Sequence, residues 1–328
     1  MKVVDMHVDT ISRLLDSERN NQNINLKDND FDVDLNKLIK GDYLLQNFAM
    51  FVGLKDVINP EHECLALIDK YYREIDKYQD IIKPVFKYQD IIDNAKEGKI
   101  SSLLTLEEGD VVFNDLAMLR NYYRLGVRMI CLTWNYPNAI GSPNFTKDDK
   151  LSRYDMLRHI NTKDGLSEFG IEYIKEMERL GIIIDVSHLS DKGFDDVYEY
   201  TTKPFVSSHS NARSICNVAR NLSDDMIKKI ASRGGVIGIN YCKDFLDDDG
   251  IGDIKMIVKH IKHIISVGGV ECVGLGSDFD GIKKRETLSD ASFMNELYLE
   301  LKSQSFKEED IEKIFYKNVL RVYKEILV

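Results

Sequence analysis

Short apolar runs alternate with longer amphipathic segments from one end of the chain to the other. Eight of these runs are too short for helices and are rich in β-branched or apolar residues, as strands buried on both faces are. The predicted strands cover residues 2–6, 44–52, 101–106, 128–133, 182–187, 205–208, 236–240 and 272–277. The segments between them have helical periodicity with recognisable ends, such as Asn59-Pro60 at one start and Gly181 after one finish.

This alternation of strand and helix predicts an α/β fold, specifically a (β/α)8 barrel of the TIM type. A doubly wound sheet is the alternative, but no G-x-G-x-x-G motif follows the first strand. No repeat, low-complexity stretch or linker divides the chain, so residues 1–328 are predicted to form one domain. Polar segments 16–34 and 135–163 are predicted loops on the rim where active sites of such barrels lie.

Composition and charge narrow the class of protein. The 328 residues are 43% hydrophobic and 30% charged, which is typical of a globular protein. The net charge of −11 argues against a nucleic-acid or anionic-membrane partner. The five cysteines are scattered without a C-x-x-C pair, and polar residues appear by position 5, so neither a disulfide framework nor a signal peptide is predicted. We expect a soluble cytoplasmic protein that has no membrane span.

Side chains that bind metals stand where five of the predicted strands end. His7 and Asp9 are two residues apart in an extended segment, so both project to the same face. The other candidates at strand ends are Glu107, Glu108, His188, His209 and Asp278. Because the ends of parallel strands share one rim, these side chains are predicted to converge there.

Imidazole and carboxylate groups together can hold two divalent metals. A carboxylate can bridge the two ions, and the shared water then acts as a hydroxide nucleophile near neutral pH. Three of the seven histidines belong to this set. The remaining histidines are predicted to be solvated or hydrogen-bonded within the fold, and they are His62, His159, His260 and His263.

The motifs around these residues resemble the membrane (renal-type) dipeptidases, the zinc dipeptidase family, and in particular its soluble bacterial members. The resemblance extends over nearly the whole chain. It rests on DMHVDT near the N-terminus, LEEGD, GIIIDVSHLS, PFVSSHSNARSICNVARNLSDD and GLGSDFDG.

The resemblance implies a (β/α)8 barrel with two zinc ions that hydrolyses dipeptides with a free C-terminal carboxylate, through a dizinc-bound hydroxide. The C-terminal residue of the substrate would be L or D, and a homodimer is compatible with the family. The implied roles are His7 and Asp9 at the first zinc, His188 and His209 at the second, Glu107 as the bridge, Asp278 as proton carrier and substrate contact, and Arg220 as the ligand of the substrate carboxylate. A loop ion pair with Asp224 or Asp225 is the alternative role for Arg220.

Two positions depart from the family pattern. Mammalian members carry a histidine after strand 4 that would hold the substrate's oxyanion, whereas this chain has Trp134 and Asn135. Asn135 is our candidate donor on chemical grounds. Glu108 stands where a glycine is common, either as a partner behind the metal ligands or pointing away.

Two alternative functions are weighed against peptide hydrolysis. One is another amidohydrolase-type barrel enzyme, which would begin with H-x-H where this chain has H-x-D. The other is a non-catalytic barrel that binds metal or peptide.

Overall fold

The computed structural model describes residues 1–145 and 152–328. Within these ranges the strands, all paired in parallel, are β1 (Val3–Asp5), β2 (Tyr43–Phe51), β3 (Ile82–Pro84), β4 (Ile100–Glu107), β5 (Val127–Cys131), β6 (Ile183–Asp185), β7 (Val206–Ser207), β8 (Val236–Ile239) and β9 (Val273–Leu275). The α-helices are α1 (Thr10–Arg19), α2 (Leu35–Lys40), α3 (Pro60–Lys77), α4 (Tyr88–Lys96), α5 (Leu116–Arg124), α6 (Arg153–Arg158), α7 (Glu168–Leu180), α8 (Asp191–Tyr200), α9 (Asp224–Ser232), α10 (Lys243–Leu246), α11 (Ile254–Gly268), α12 (Met294–Ser303), α13 (Glu308–Glu312) and α14 (Asn318–Ile326).

Eight strands close into the predicted (β/α)8 barrel. Strand β1 pairs with β2 and β9, and the ring closes where β2 pairs with β4 from Leu45↔Ser101 to Phe51↔Glu107. Because every pairing is parallel, the carboxyl ends of these strands share one rim. This arrangement confirms the predicted fold class and places the candidate ligands at that rim.

Strand β3 is a strand that the apolar pattern did not predict. It pairs with the first residues of β4, from Ile82↔Ile100 to Pro84↔Ser102, whereas β5 pairs with β4 only from Leu104 onward. Three residues that include a proline are too short a pattern to recognise, and proline restricts such a strand to an edge. Strand β3 therefore lies beside the amino-terminal half of β4 and leaves the carboxyl-terminal rim of the eight barrel strands unchanged.

The barrel interior is filled by apolar side chains and covered at its amino-terminal end. Val4, Leu103, Met129 and Val236 pack there in one cluster with side chains of α14. The hydroxyl of Tyr323 accepts a hydrogen bond of 2.7 Å from Asn47 Nδ2. Helix α14 follows α13 and a π-helical turn at Lys313–Lys317. Only the carboxyl-terminal rim is thus left for a substrate.

Capping hydrogen bonds mark several helix starts, among them the predicted start at Asn59. Asn59, Ser190 and Ser223 each accept a hydrogen bond from a backbone N–H in the first turn. Helix α5 is capped by Asp115, and the preceding Asn114 has φ of +57°. The predicted loop at 16–34 begins too early, since α1 continues to Arg19.

The second predicted loop, 135–163, includes residues 146–151, which lie outside the described residues. Its described part contains the short helix α6. Across residues 1–145 and 152–328, no helix has the length and apolar character needed to cross a membrane.

Candidate active site

The candidate ligands converge at the carboxyl-terminal rim, as the sequence predicted. His7 and Asp9 follow β1, Glu107 is the last residue of β4, His188 follows β6, and His209 follows β7. All five side chains are buried. These residues come from the ends of four strands. Because the strands are parallel, their carboxyl ends lie on one rim, which brings the five side chains together.

Glu107 lies between the two groups of predicted ligands. Its Oε2 is 3.3 Å from His7 Nε2, and His7 Nε2 is 3.6 Å from Asp9 Oδ2. Its Oε1 is 3.0 Å from His188 Nε2 and 3.6 Å from His209 Nε2. One carboxylate oxygen thus faces each half of the site, which is the geometry of a bridging ligand.

Burial and mutual charge set the pKa values of these groups. Burial alone would raise the pKa of Glu107, but His7, His188 and His209 hold it well below its usual range. Burial and the negative charge of Glu107 raise the pKa of Asp9 to about 6. Burial, followed by the positive charge of Arg220, lowers the pKa of His188 to about 4. The site therefore favours a charged Glu107 and a neutral His188, the protonation state in which each can bind a metal. Burial alone would lower the pKa of His7, but Glu107 and Asp9 raise it well above its ordinary value, so a metal there must displace a proton.

Buried nitrogen and oxygen atoms at this site are suited to binding a metal ion. Nε2 of His7 and Oδ1 of Asp9 have no hydrogen-bond partner among the described residues. Ligand atoms of His7, Glu107 and His209 lie within 4.8 Å of one another, and so do those of His7, Asp9 and Asp278. Buried polar atoms are rarely left unpaired, so these atoms fit a group that imidazole and carboxylate can bind, namely divalent zinc or a similar ion.

His209 is oriented from behind by a serine and a carboxylate. Ser208 Oγ donates a hydrogen bond to Asp185 Oδ2 and therefore accepts the one from His209 Nδ1, at 2.7 Å. Asp185 Oδ1 also accepts hydrogen bonds from the backbone N–H groups of Ser187 and Ser208. This series of hydrogen bonds places the proton of His209 on Nδ1 and leaves the lone pair of its Nε2 directed at Glu107.

Asp5 is a second buried carboxylate below the rim, and it binds backbone N–H groups rather than an imidazole. Its Oδ1 accepts hydrogen bonds from the backbone N–H groups of His7 and Ser277, and its Oδ2 accepts one of 2.6 Å from Ser277 Oγ. It thereby joins the ends of β1 and β9. Sequence reasoning assigned no role to Asp5 or Asp185. The available signal was a carboxylate two or three residues before a predicted histidine ligand.

His188 is held by the loop that follows β5. Its Nδ1 donates a hydrogen bond of 2.8 Å to Asn135 Oδ1, and its backbone carbonyl accepts one of 2.8 Å from the N–H of Asn144. The residue has φ of +68°, a conformation that is costly for a side chain with a Cβ. Asn135 therefore lies at the site, and its Oδ1 is engaged with a predicted metal ligand.

Asp278 lies beside the His7 half of the site. Its Oδ1 is 4.0 Å from His7 Nε2, and its Oδ2 accepts a hydrogen bond of 2.9 Å from Asn240 Nδ2. Burial raises the pKa of Asp278 to about 7, and the nearby charges of Asp9 and Glu107 contribute to the increase. A pKa near neutral pH suits a group that both accepts and returns a proton.

Arg220 is buried at the same rim, with 4% of its surface exposed. One terminal nitrogen donates to the carbonyl of His209 at 3.1 Å, and Nε has no partner among the described residues. The alternative ion pair is not formed, because Asp224 binds His263 and Asp225 binds Lys229. Among the described residues, no carboxylate forms an ion pair with this guanidinium, which borders the cavity.

A cavity of about 710 Å³ opens above these groups. Asp9, Glu107, His188, Arg220 and Asp278 all line it. Much of the remaining wall is apolar or aromatic and includes Phe51, Trp134, Phe145, Leu157 and Phe245. Such a concave site with a few converging polar groups is typical of small-ligand binding.

Glu108 points away from the metal ligands. Its carboxylate accepts hydrogen bonds from the loop after β5 and from the N–H of Asp110. Burial raises the pKa of Glu108 to about 7. Of the two arrangements considered for this residue, its side chain points away from the ligands and toward the loop after β5.

The other histidines agree with the prediction that they are solvated or satisfied. His62 and His159 are exposed. Nδ1 of His260 accepts a hydrogen bond from the N–H of Ala212, Nε2 of His260 donates to the carbonyl of Leu246, and His263 pairs with Asp224.

Comparison with known proteins identifies the family of this barrel. A family model described as membrane dipeptidase, peptidase family M19, matches residues 1–327. The chain belongs to the membrane dipeptidase family. It is accordingly a metallopeptidase that hydrolyses dipeptides, and neither alternative function is supported.

The sequences of two relatives align with most of this dipeptidase. It is 34% identical to an uncharacterised dipeptidase of Schizosaccharomyces pombe, across 99% of this chain and 80% of the relative. It is also 34% identical to an uncharacterised protein of Klebsiella pneumoniae, across 72% of this chain and 86% of that protein.

Solved structures share the fold. The metallopeptidase called dipeptidase AC, of family M19, superposes with a TM-score of 0.88 at 25% identity over 100% of this chain and 99% of its own. A metallopeptidase from Rhodobacter sphaeroides, liganded with a phosphinate mimic of L-Ala-D-Ala, has a TM-score of 0.87 at 24% identity, with 99% of both chains covered.

Proposed function

We propose that this dipeptidase binds two zinc ions per chain and that Glu107 bridges them. His7 and Asp9 are the proposed ligands of one ion, and His188 and His209 are those of the other. The observation that carries this proposal is the division of the Glu107 carboxylate, with Oε2 at 3.3 Å from His7 Nε2 and Oε1 at 3.0 Å from His188 Nε2. When bound, zinc acts as a Lewis acid. It polarises a carbonyl group and lowers the pKa of a bound water molecule to near neutral.

Asp278 is the proposed proton carrier. It accepts a proton from the attacking water and returns it to the amine that leaves when the peptide bond breaks. Three features support this role: Asp278 lines the cavity, its Oδ1 is 4.0 Å from His7 Nε2, and burial raises its pKa to about 7. Asn240 keeps Oδ2 fixed and leaves Oδ1 on the side of the ligands.

Arg220 is the proposed binding group for the C-terminal carboxylate of the substrate. A guanidinium can donate two parallel hydrogen bonds to a carboxylate, and such charge-assisted pairs are strong when buried. Nε of Arg220 has no partner among the described residues, and the side chain lines the cavity. This role makes a free C-terminus a requirement for substrates with either an L- or a D-residue at that position.

Asn135 is the proposed donor to the carbonyl oxygen of the substrate. Its Oδ1 already accepts a hydrogen bond from His188, so Nδ2 is the amide atom left to donate. The residue lines the cavity beside His188 and Glu107. It would thus take over the function of the histidine that mammalian members carry after strand 4.

The sharpest test compares a dipeptide with its C-terminal amide. L-Ala-L-Ala and L-Ala-D-Ala are suitable pairs, the second because the Rhodobacter sphaeroides neighbour is liganded with a mimic of it. The wild type should hydrolyse the acids and cleave the amides poorly. Arg220→Ala should lose about 2–5 kcal/mol of substrate recognition, roughly 30- to several-thousand-fold in kcat/KM. The loss should appear mainly in KM, because the contact exists in both ground and transition states.

Arg213→Ala is the matched control. Arg213 lies in the same loop but pairs with Asp191 outside the large cavity. Its removal should leave the preference for acid over amide unchanged. If the wild type cleaves acid and amide equally well, Arg220 does not bind the substrate carboxylate.

A further inference from the structure

Glu108 adopts a backbone conformation that glutamate rarely takes. It follows Glu107 directly and has φ of +100°. Glycine reaches this region without steric cost, whereas a residue with a Cβ pays of order 1–3 kcal/mol. Surrounding contacts must therefore hold Glu108 in place, and those contacts belong to its side chain.

The Glu108 carboxylate is buried, with 1% of the residue exposed, and it accepts three hydrogen bonds. Oε1 accepts one from Asn138 Nδ2 at 2.5 Å and one from the N–H of Asp110 at 3.1 Å. Oε2 accepts one from the N–H of Trp134 at 3.2 Å. Two of the three donors belong to the loop after β5, so Glu108 ties that loop to the end of β4.

These hydrogen bonds determine the course of the loop. Asn138 Nδ2 also donates to the carbonyl of Leu132 at 3.0 Å, and its Oδ1 accepts from the N–H groups of Ile140 and Gly141. The loop is thereby closed on both sides of Trp134. The next residue, Asn135, presents Oδ1 to His188 Nδ1 at 2.8 Å.

We propose that Glu108 is a positioning residue that acts through this loop, holding Asn135 against His188 and Trp134 in the cavity wall. The proposal rests on the proposed function of His188 as a metal ligand. Asn135 Oδ1 can only accept a hydrogen bond, so Nδ1 of His188 must carry the proton. The lone pair of His188 Nε2 is then left for a metal. Without the carboxylate of Glu108, the backbone of Trp134 loses its anchor and Asn135 is less well placed.

Trp134 provides a direct signal for this effect, because it is the only tryptophan in the sequence. Its ring is half-buried, with its centroid 4.8 Å from that of Phe51 and 5.7 Å from that of Tyr136. Tryptophan emission and its quenching by acrylamide therefore report on the loop itself. Both can be measured on metal-free protein, independently of activity.

The test compares Glu108→Gly and Glu108→Gln with the wild type. Glu108→Gly relieves the backbone and removes all three hydrogen bonds, so Trp134 should become more accessible to acrylamide and its emission should shift to the red. kcat for L-Ala-L-Ala should fall about 10- to 100-fold, the range for residues that orient a metal ligand. Glu108→Gln retains one acceptor oxygen and should give an intermediate change in both readouts. It also decides the question if the glycine variant fails to fold.

Asn21→Gly is the matched control, because Asn21 is exposed and has φ of +57° away from the cavity. It should alter neither emission nor kcat. The variants are then combined with Asn135→Ala. If Glu108 acts through Asn135, adding Glu108→Gly to that background should change kcat by less than about 2-fold.

Additive effects, or unchanged quenching in both Glu108 variants, would overturn the proposal while leaving dipeptide hydrolysis intact. Full retention of metal by His188→Ala would instead overturn the proposed function of His188 as a metal ligand. The quenching data still decide whether Glu108 positions the loop.

Discussion

Asp278 and Asp280 are two buried carboxylates in one turn, but their surroundings differ. Asp278 faces His7 and the cavity, with one hydrogen bond from Asn240. Asp280 accepts hydrogen bonds from Thr10, Arg13 and the N–H of Asp32. The first carboxylate has an oxygen available for chemistry, whereas both oxygens of the second are used to hold the turn.

This difference predicts unequal effects of two matched substitutions. Asp278→Asn removes the proposed proton carrier but keeps an oxygen that can accept from Asn240, so kcat should fall about 10²- to 10⁴-fold with the fold retained. Asp280→Asn should have a much smaller effect on kcat. Steady-state kinetics and metal analysis of both variants check the prediction. Unchanged turnover of Asp278→Asn would contradict it, and loss of metal would make Asp278 a ligand instead.

At the scale of elements, helix α3 is joined to the start of the chain by a buried charge cluster. Glu74 Oε1 accepts hydrogen bonds from Lys70 and Lys77, and Oε2 accepts one from the N–H of Leu26. Lys70 also reaches Glu18 at the end of α1. Burial alone would raise the pKa of Glu74, but these hydrogen bonds hold it below its ordinary value.

Glu74→Gln should therefore lower the free energy of unfolding by about 1–3 kcal/mol at pH 7, because Lys70 keeps Glu18 as a partner but loses the buried charge of Glu74. A carboxyl whose pKa is lowered on folding stabilises the protein above its unfolded pKa, about 4.3 for glutamate. That contribution is lost as the pH falls through the folded pKa, so wild type and variant should converge in acid. Urea denaturation at several pH values measures the difference.

The matched control is Asp69→Asn in the same helix, where an exposed carboxylate pairs with Arg73. It should change stability by less than about 1 kcal/mol. If both variants change the free energy of unfolding equally, burial is not the reason that the ion pair of Glu74 with Lys70 stabilises the protein.

At the scale of the whole molecule, the proposed metals join the ends of four strands, β1, β4, β6 and β7. Binding to the folded state alone stabilises it by mass action, about 2.7 kcal/mol when the free metal is at 100 times Kd. The purified protein should contain about two divalent ions per chain, as expected of a bridged site. Chelation should lower Tm, and zinc should restore it.

His188→Ala and His209→Ala should each lower the metal content and weaken the response of Tm to zinc. His260→Ala is a histidine control outside the cavity, and its Tm should still respond to zinc. Metal analysis and thermal unfolding of the same samples provide both measurements. Protein that contains no metal, and whose Tm is the same with and without zinc, would contradict the proposed centre.

The sequence by itself determined the barrel and the neighbourhood of the site. Strands buried on both faces produce continuous apolar runs, and these are visible without a structure. Once the strands are parallel, residues at their ends must meet, so Glu107, His188 and His209 could be placed together from their positions alone. The i, i+2 spacing likewise placed His7 and Asp9 on one face.

Only the tertiary structure decided the contacts that depend on loops and on short elements. The edge strand β3 pairs with β4 through three residues, a pattern too brief to recognise. The direction of Glu108 depends on φ of +100° and on donors 26 and 30 residues away. The contact between Asn135 and His188 joins residues 53 positions apart. Local periodicity reports which face of an element is buried, whereas such contacts depend on how distant loops pack against one another.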